Sequence, residues 1–180
     1  MKAVVDTNVL LVANGDHADI SPECQTECVK RLLAMQAKGV TVIDDAFLIL
    51  GEYLRKTRLK PAKGVGDIYL KWLLREAHRP GRVEQVTLTV QETNRYAEFP
   101  DTALEAAFDA ADRKFAAVAN AHADKPPILQ AADCKWLDWW QPLAAHGIRV
   151  DFLCPADSCR DYAKKFRGKP VPTLPQAKSP

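Results

Sequence analysis

The chain has 180 residues, of which 47% are hydrophobic and 27% are charged, and its formal net charge is +2. This length and composition predict one globular domain with a sizeable core and argue against two full domains. The net charge is too small to indicate nucleic-acid binding by itself, so a basic surface would have to come from local clusters of lysine and arginine.

The cysteines and the hydropathy pattern indicate the cellular compartment. Five cysteines are present, an odd number, and none forms a CxxC pair. Cys24 and Cys28 have the spacing of neighbours on a helix face, so we predict buried or free thiols in a reducing compartment and no zinc site. The sequence has no basic-then-apolar signal peptide and no apolar run of about eighteen residues, which predicts a soluble, cytoplasmic protein without membrane association.

The first predicted strand places a carboxylate directly after an apolar run. Residues 3–5 are small or β-branched, and Asp6, Thr7 and Asn8 follow them. The apolar run predicts a buried strand, and the polar residues mark where the backbone leaves the sheet. Asp6 would then lie at the carboxyl end of a strand, where α/β sheets bind ligands. It is equally well explained as a helix cap, because Asp, Thr and Asn all cap helices.

Two further apolar runs end in the same way. Residues 40–43 stop at Asp44 and Asp45, and residues 128–132 stop at Asp133. Strands that are joined through helices pair in parallel, so their carboxyl ends meet at one edge of the sheet. The sequence therefore predicts several carboxylates at one sheet edge.

Helical spacing and turn signals predict the remaining elements. Ser21 and Pro22 begin a helix that ends at Gly39, because Ser caps helices and Pro is tolerated in the first turn. A second helix carries Glu52 as its only acid. Further helices are predicted over 64–79, 101–108, 109–122 and 135–146, and strands over 83–90 and 148–154.

Two charged features allow more than one interpretation. Asp109 and Asp112 lie three apart at the start of an alanine-rich helix, where acids complement the helix dipole without any further role. A basic stretch follows Glu52, and it is either a solvated helix end or a surface that contacts phosphates. Its members are Arg55, Lys56, Arg58, Lys60 and Lys63.

The chain beyond Pro155 is basic and rich in proline. This composition predicts a flexible tail over residues 156–180, after a folded domain of residues 1–155.

Clustered carboxylates indicate a hard divalent cation. Such acids repel one another and are tolerated at neutral pH chiefly when a cation neutralises them. Ligand sets made only of oxygen suit Mg²⁺ or Mn²⁺, and their usual use is metal-assisted displacement at phosphorus. The sequence has no GxSxG motif, no Walker loop and no paired His and Cys or Ser that would indicate another mechanism.

The ordered set of acids resembles the PIN-domain family of nucleases. The resemblance rests on Asp6 in VVDTNVL, Glu52 in GEY, Asp112 in DRKFAAVA and Asp133 in AAD, and it covers residues 2–155. It implies a three-layer α/β/α fold with a central, mainly parallel sheet of four to five strands. It also implies an endoribonuclease that uses one or two Mg²⁺ or Mn²⁺ ions and acts on single-stranded or structured RNA.

The resemblance also implies roles for individual residues. Asp6, Glu52, Asp112 and Asp133 would be the catalytic metal ligands, with Thr7 and Asn8 as supporting polar groups. Members of the family include toxins of toxin–antitoxin pairs, so the partners it implies are RNA, an antitoxin protein and a second copy of the chain. Further residues are candidates near the metal (Asp44, Asp45, Asp109 and Asp138) or for nucleic-acid contact (the basic stretch, Arg113 and Lys135).

One departure from the family pattern affects the number of ions. Many members carry a second acid shortly after the last aspartate, and here Cys134 and Lys135 occupy that place. A one-metal site, a weaker enzyme and substitution by Asp138 are all consistent with this change. Two alternative functions stay open: a PIN-like module that binds RNA or protein without cleaving, and a phosphatase with Asp6 as nucleophile. The phosphatase ranks last, because Asn8 stands where a second acid is expected.

Overall fold

The computed structural model describes residues 1–175, and residues 176–180 of the predicted tail lie outside the described residues. The strands are β1 (Lys2–Val5), β2 (Val40–Asp44), β3 (Val83–Val86), β4 (Val90–Glu92), β5 (Arg95–Tyr96), β6 (Ile128–Gln130) and β7 (Val150–Phe152). The helices are α1 (Thr7–Asn14), α2 (Pro22–Lys38), α3 (Leu48–Lys56), α4 (Val65–Glu76), α5 (Thr102–Glu105), α6 (Arg113–Ala121), α7 (Trp136–Ala145) and α8 (Pro155–Lys165).

Five strands form a parallel central sheet in the order β3-β2-β1-β6-β7. Strand β1 is central, with Ala3 beside Thr41 of β2 and Val4 beside Ile128 of β6. Strands β4 and β5 form a separate antiparallel pair. The predicted α/β/α architecture with a mainly parallel sheet is therefore confirmed.

Helices cover both faces of the sheet, which explains why the three inner strands, β2, β1 and β6, are buried without alternation. Helices α1 to α4 pack against one another, and α6 packs on β1, β2 and β6. Because parallel crossovers are right-handed, the reversal of strand order after β3 places α6 on the opposite face from α1 to α4. This topology brings the amino ends of α1 and α6 to the carboxyl edge of the sheet.

A glycine allows α1 and α4 to approach closely. A Cβ atom built on Gly66 would lie 2.2 Å from the backbone oxygen of Leu10. No side chain fits in that gap, so the crossing of these two helices depends on glycine at this position.

The prediction of a flexible tail from residue 156 is wrong for the residues of α8. Pro155 occupies the first turn of this helix, where its missing N–H is not needed. The helix is attached to the domain by buried polar contacts: Ser158 Oγ donates to the backbone oxygen of Ala131 at 3.0 Å, and Asp157 accepts from Ser21 Oγ at 2.6 Å. The domain therefore extends beyond residue 155.

The prediction of buried or free thiols in a reducing compartment is also wrong for two of the cysteines. Cys24 of α2 and Cys154, which precedes α8, form a disulfide, and the inference of a reducing compartment loses its support. Cys28 Sγ lies 3.8 Å from Cys154 Sγ and is free, and burial raises the pKa of its thiol to about 12. Within residues 1–175, no helix is long and apolar enough to cross a membrane.

Candidate metal centre

Asp6 both caps a helix and faces the other acids. One of its carboxylate oxygens accepts the backbone N–H of Asn8 at 2.8 Å, so Asp6 is the N-cap of α1. Its side chain follows β1 directly and is only 1% exposed. Among the described residues, its second oxygen has no hydrogen-bond partner. The two interpretations of Asp6 are therefore compatible, because capping uses only one of its oxygens.

Three other aspartates converge at the same edge. One carboxylate oxygen each from Asp109, Asp112 and Asp133 lies within 4.8 Å of the other two. Asp112 is the residue before α6, and the backbone N–H of Asp112 bonds to the carbonyl of Asp109 at 3.0 Å. Asp133 follows β6 by three residues and accepts the backbone N–H of Lys135 at 3.0 Å. Asp109 thus joins the predicted pair of Asp112 and Asp133.

The pKa values of two acids record this crowding. Burial, and after it the charge of Asp112, raise the pKa of Asp6 well above its ordinary value, although the hydrogen bond from Asn8 acts in the opposite direction. Asp133 and Glu52 also raise it. Burial and then the charge of Asp133 raise the pKa of Asp112 to about 7. The four acids named from the sequence therefore interact, and a cation between them would relieve their repulsion.

Glu52 is held by two neighbours on either side of its carboxylate. Thr7 Oγ1 donates to Oε1 at 2.6 Å, and Lys114 Nζ donates to Oε2 at 2.5 Å. The Lys114 ammonium also donates to the backbone oxygen of Ala111. The side chains of Lys114 and Glu52 are 6% and 13% exposed, so this ion pair is largely desolvated.

Sequence reasoning missed Lys114, although a signal was present. Lys114 lies one turn before Val118 on α6, and Val118 is an apolar residue that is fully buried in the core. A lysine four residues before a core residue shares its face and requires a buried partner. Glu52, as the only acid on the second predicted helix, was the available counter-charge.

Three predicted acids lie outside the cluster. Asp44 is buried and accepts the backbone N–H groups of Leu48 and Ile49, at 2.7 and 2.9 Å, at the start of α3. Asp45 is exposed and accepts from Thr87. Asp44 therefore caps the amino end of α3. Asp45, which was predicted to lie near the metal, contacts Thr87 instead.

Asp138 does not substitute for the missing second acid. It lies in the first turn of α7, where it is exposed and accepts a hydrogen bond from Tyr162 Oη at 2.7 Å. That alternative is wrong, because the side chain is directed to α8 and not to the other aspartates. Lys135, which follows Asp133, forms an ion pair with Asp109 beside the cluster.

The basic residues differ in their availability. Arg113 is largely buried, and its guanidinium is occupied by the backbone oxygens of Glu105 and Phe108, so the structure does not favour its predicted contact with nucleic acid. The basic stretch, by contrast, is exposed at all five of its lysines and arginines: Arg55, Lys56, Arg58, Lys60 and Lys63.

A buried aspartate that the sequence analysis overlooked holds this basic stretch. Asp67 of α4 accepts the backbone N–H groups of Arg58 and Lys63, at 3.0 and 2.8 Å, and the amide of Asn14 at 2.8 Å. Burial acts to raise the pKa of Asp67, but these hydrogen bonds outweigh burial and hold the pKa below its ordinary value. The part of the stretch from Arg58 to Lys63, which follows the end of α3, is therefore a loop held to α1 and α4.

The donor set of the cluster fits a hard divalent cation. It offers carboxylate oxygens only, and one of them, on the buried Asp6, has no partner among the described residues. Mg²⁺ and Mn²⁺ prefer such ligands, whereas softer ions prefer sulfur and nitrogen. Asp6, Asp109, Asp112 and Asp133 are the residues that could hold the ion.

No protein-family description matches the chain, and neither a curated protein nor a solved structure matches it.

Proposed function

We propose that the protein is a Mg²⁺- or Mn²⁺-dependent endoribonuclease. The observation that carries the proposal is the convergence of Asp109, Asp112 and Asp133 within 4.8 Å, beside the buried Asp6, at the carboxyl edge of a parallel sheet. When bound, a divalent ion supplies an activated water and stabilises the charge that develops on a phosphate oxygen. Asp6 and Asp112 would hold that ion, and Thr7 would keep Glu52 oriented beside it.

The order of the acids also supports the proposal. Asp6 follows the first strand, Glu52 lies on the helix after the second, Asp112 precedes a later helix and Asp133 follows β6. This order resembles that of PIN domains, whose activity is cleavage of RNA. The resemblance is the reason for proposing a ribonuclease in preference to other metal-dependent phosphodiesterases.

The basic stretch suggests where a nucleic acid would lie. Arg55 and Lys56 are three and four residues after Glu52 on α3, so the stretch begins one helical turn from Glu52. Its exposed cations are suited to contact successive phosphates of a single strand.

The test is cleavage of labelled single-stranded and hairpin RNA in Mn²⁺, Mg²⁺ or EDTA. We expect cleavage with Mn²⁺ and none in EDTA. In Asp112→Asn the cleavage rate should fall by about 100-fold or more. Even the loss of a residue that only hydrogen-bonds to a metal ligand typically lowers metal affinity or activity by about 10–100-fold. Asp45→Asn is the matched control, since Asp45 is an exposed acid at the same sheet edge outside the cluster. Equal cleavage by Asp112→Asn and the wild type would refute the proposal.

A second candidate function is RNA binding without cleavage. Lys114 and Lys135 each pair with an acid of this region, which leaves less negative charge to attract a cation. This candidate predicts that wild-type protein binds RNA equally well in Mn²⁺ and in EDTA and forms no product. A gel-shift experiment run beside the cleavage assay separates the two functions.

A further inference from the structure

The Lys114–Glu52 ion pair lies close enough to the acidic cluster for both of its charges to act on Asp112. Lys114 Nζ is 2.5 Å from Glu52 Oε2 and also donates to the backbone oxygen of Ala111. Its ammonium lies 4.7 Å from the centre of the Phe115 ring. The ammonium is thus surrounded by a carboxylate, a carbonyl and an aromatic face, all of which favour a cation.

The charges of this region leave room for one divalent ion. Two lysines, Lys114 and Lys135, each pair with a carboxylate. Three carboxylates then have no lysine partner among the described residues, and one divalent ion with its waters is enough to offset most of their charge. The acids of the region are Asp6, Glu52, Asp109, Asp112 and Asp133.

We propose that the Lys114 ammonium takes the place of a second divalent cation, so that the centre binds one metal ion and Glu52 is the counter-charge of that ammonium, not a metal ligand. The proposal rests on the metal centre of the proposed function. Both oxygens of Glu52 are occupied, one by Thr7 and the other by Lys114. The unpartnered oxygen of the buried Asp6 and the close oxygens of Asp112 and Asp133 remain for the ion.

Displacement of Lys114 by a second ion is unfavourable in this geometry. The side chain is 6% exposed, so a displaced ammonium would have to leave a carboxylate, a carbonyl and a ring for a route to solvent. Breaking one side of a buried pair leaves an uncompensated charge, which is far less favourable than never forming the pair. The ion pair therefore persists when the first ion binds.

The stoichiometry of Mn²⁺ binding tests the proposal directly. Isothermal titration calorimetry, with the electron paramagnetic resonance signal of free Mn²⁺ as a second measurement, should give one ion per wild-type chain. Lys114→Met frees Glu52 from its ammonium and should raise the stoichiometry to two. Asp112→Asn should lose the ion, or bind it at least tenfold more weakly.

A charge-neutral double variant keeps the test decisive if Lys114→Met does not fold. Glu52→Gln combined with Lys114→Met removes both charges of the pair and leaves no buried ion behind. We expect it to bind one Mn²⁺ with an affinity within about threefold of the wild type. Circular dichroism establishes that each variant is folded before titration.

The outcomes separate this inference from the proposed function. Two ions in the wild type, one ion in folded Lys114→Met, or loss of the ion in the double variant would each overturn the inference. One bound ion without RNA cleavage would uphold the inference and reject the nuclease. RNA cleavage with two bound ions would uphold the nuclease and overturn the inference. A wild-type chain that binds no Mn²⁺ would overturn both proposals.

Discussion

Asp112→Asn should stabilise the protein in the absence of metal and make its stability less dependent on pH. The folded protein raises the pKa of Asp112 from 3.8 to about 7, so the folded state holds this proton more tightly than the unfolded chain does. Stability is therefore greatest below the unfolded pKa and is lost as the pH rises towards 7. The full difference corresponds to about 4 kcal/mol. We expect roughly 2 kcal/mol, because neighbouring carboxylates share the proton.

The substitution isolates this electrostatic effect well. The Asp112 side chain makes no capping hydrogen bond to α6, so asparagine removes a charge without removing a cap. Urea unfolding in EDTA at pH 5, 6, 7 and 8 should show the free energy of unfolding of the wild type decreasing across this range. At pH 8 the variant should exceed the wild type by about 2 kcal/mol. Asp16→Asn, at an exposed turn, is the control and should follow the wild type.

Added Mn²⁺ should reverse the order of stability. At a concentration of 100 times its dissociation constant, a ligand that binds only the folded state adds about 2.7 kcal/mol. The wild type gains this stabilisation, and the variant, which lacks a ligand, does not. A free energy of unfolding that is flat or rises with pH in EDTA, or a variant that is less stable than the wild type there, would refute the reasoning.

Two substitutions outside the metal centre should lower the stability of the protein. Gly66→Ala brings a Cβ atom to 2.2 Å from the Leu10 backbone oxygen. We expect the free energy of unfolding, measured with urea, to fall by about 1–3 kcal/mol. An unchanged midpoint of the urea unfolding curve would contradict the close packing of α1 and α4. Asp67→Asn removes the charge that accepts from Arg58 and Lys63, and it should lower stability by about 1.5–3 kcal/mol. Hydrogen exchange should then be faster at these two amides, whereas equal exchange would exclude the carboxylate as their anchor.

The parts of the fold that follow local rules were predictable. Residues 3–5 and 40–43 are β-branched or small runs, and each forms a parallel strand that ends at an aspartate. The position of Asp6 at a strand end follows from that pattern alone. Its convergence with Asp112 and Asp133 could be expected only because parallel strands share a carboxyl edge.

The errors have specific physical causes. The tail prediction gave weight to the prolines after residue 168 and overlooked that Pro155 can begin a helix with Asp157 in its first turn. The pairing of Cys24 with Cys154 spans 130 residues, and no local pattern specifies such a pair. Lys114 was not named from the sequence: its place on the core face of α6 indicates a buried partner, but only the contact between α3 and α6 makes that partner Glu52.

The Asp67 carboxylate orders the backbone of the basic stretch between Arg58 and Lys63 before any ligand binds. Ordering the backbone of one residue on binding would cost about 1–2 kcal/mol of conformational entropy. Because the loop between Arg58 and Lys63 is already held by Asp67, this entropy is lost when the protein folds and not when a ligand binds. Association with a polyanion would then restrict mainly side chains, and it would be driven by release of counterions. If all five cations of the stretch contact a single strand, the logarithm of the affinity should fall by about 3.5 for each tenfold increase in salt. The buried Asp67 would thereby influence how strongly the exposed basic stretch binds phosphate.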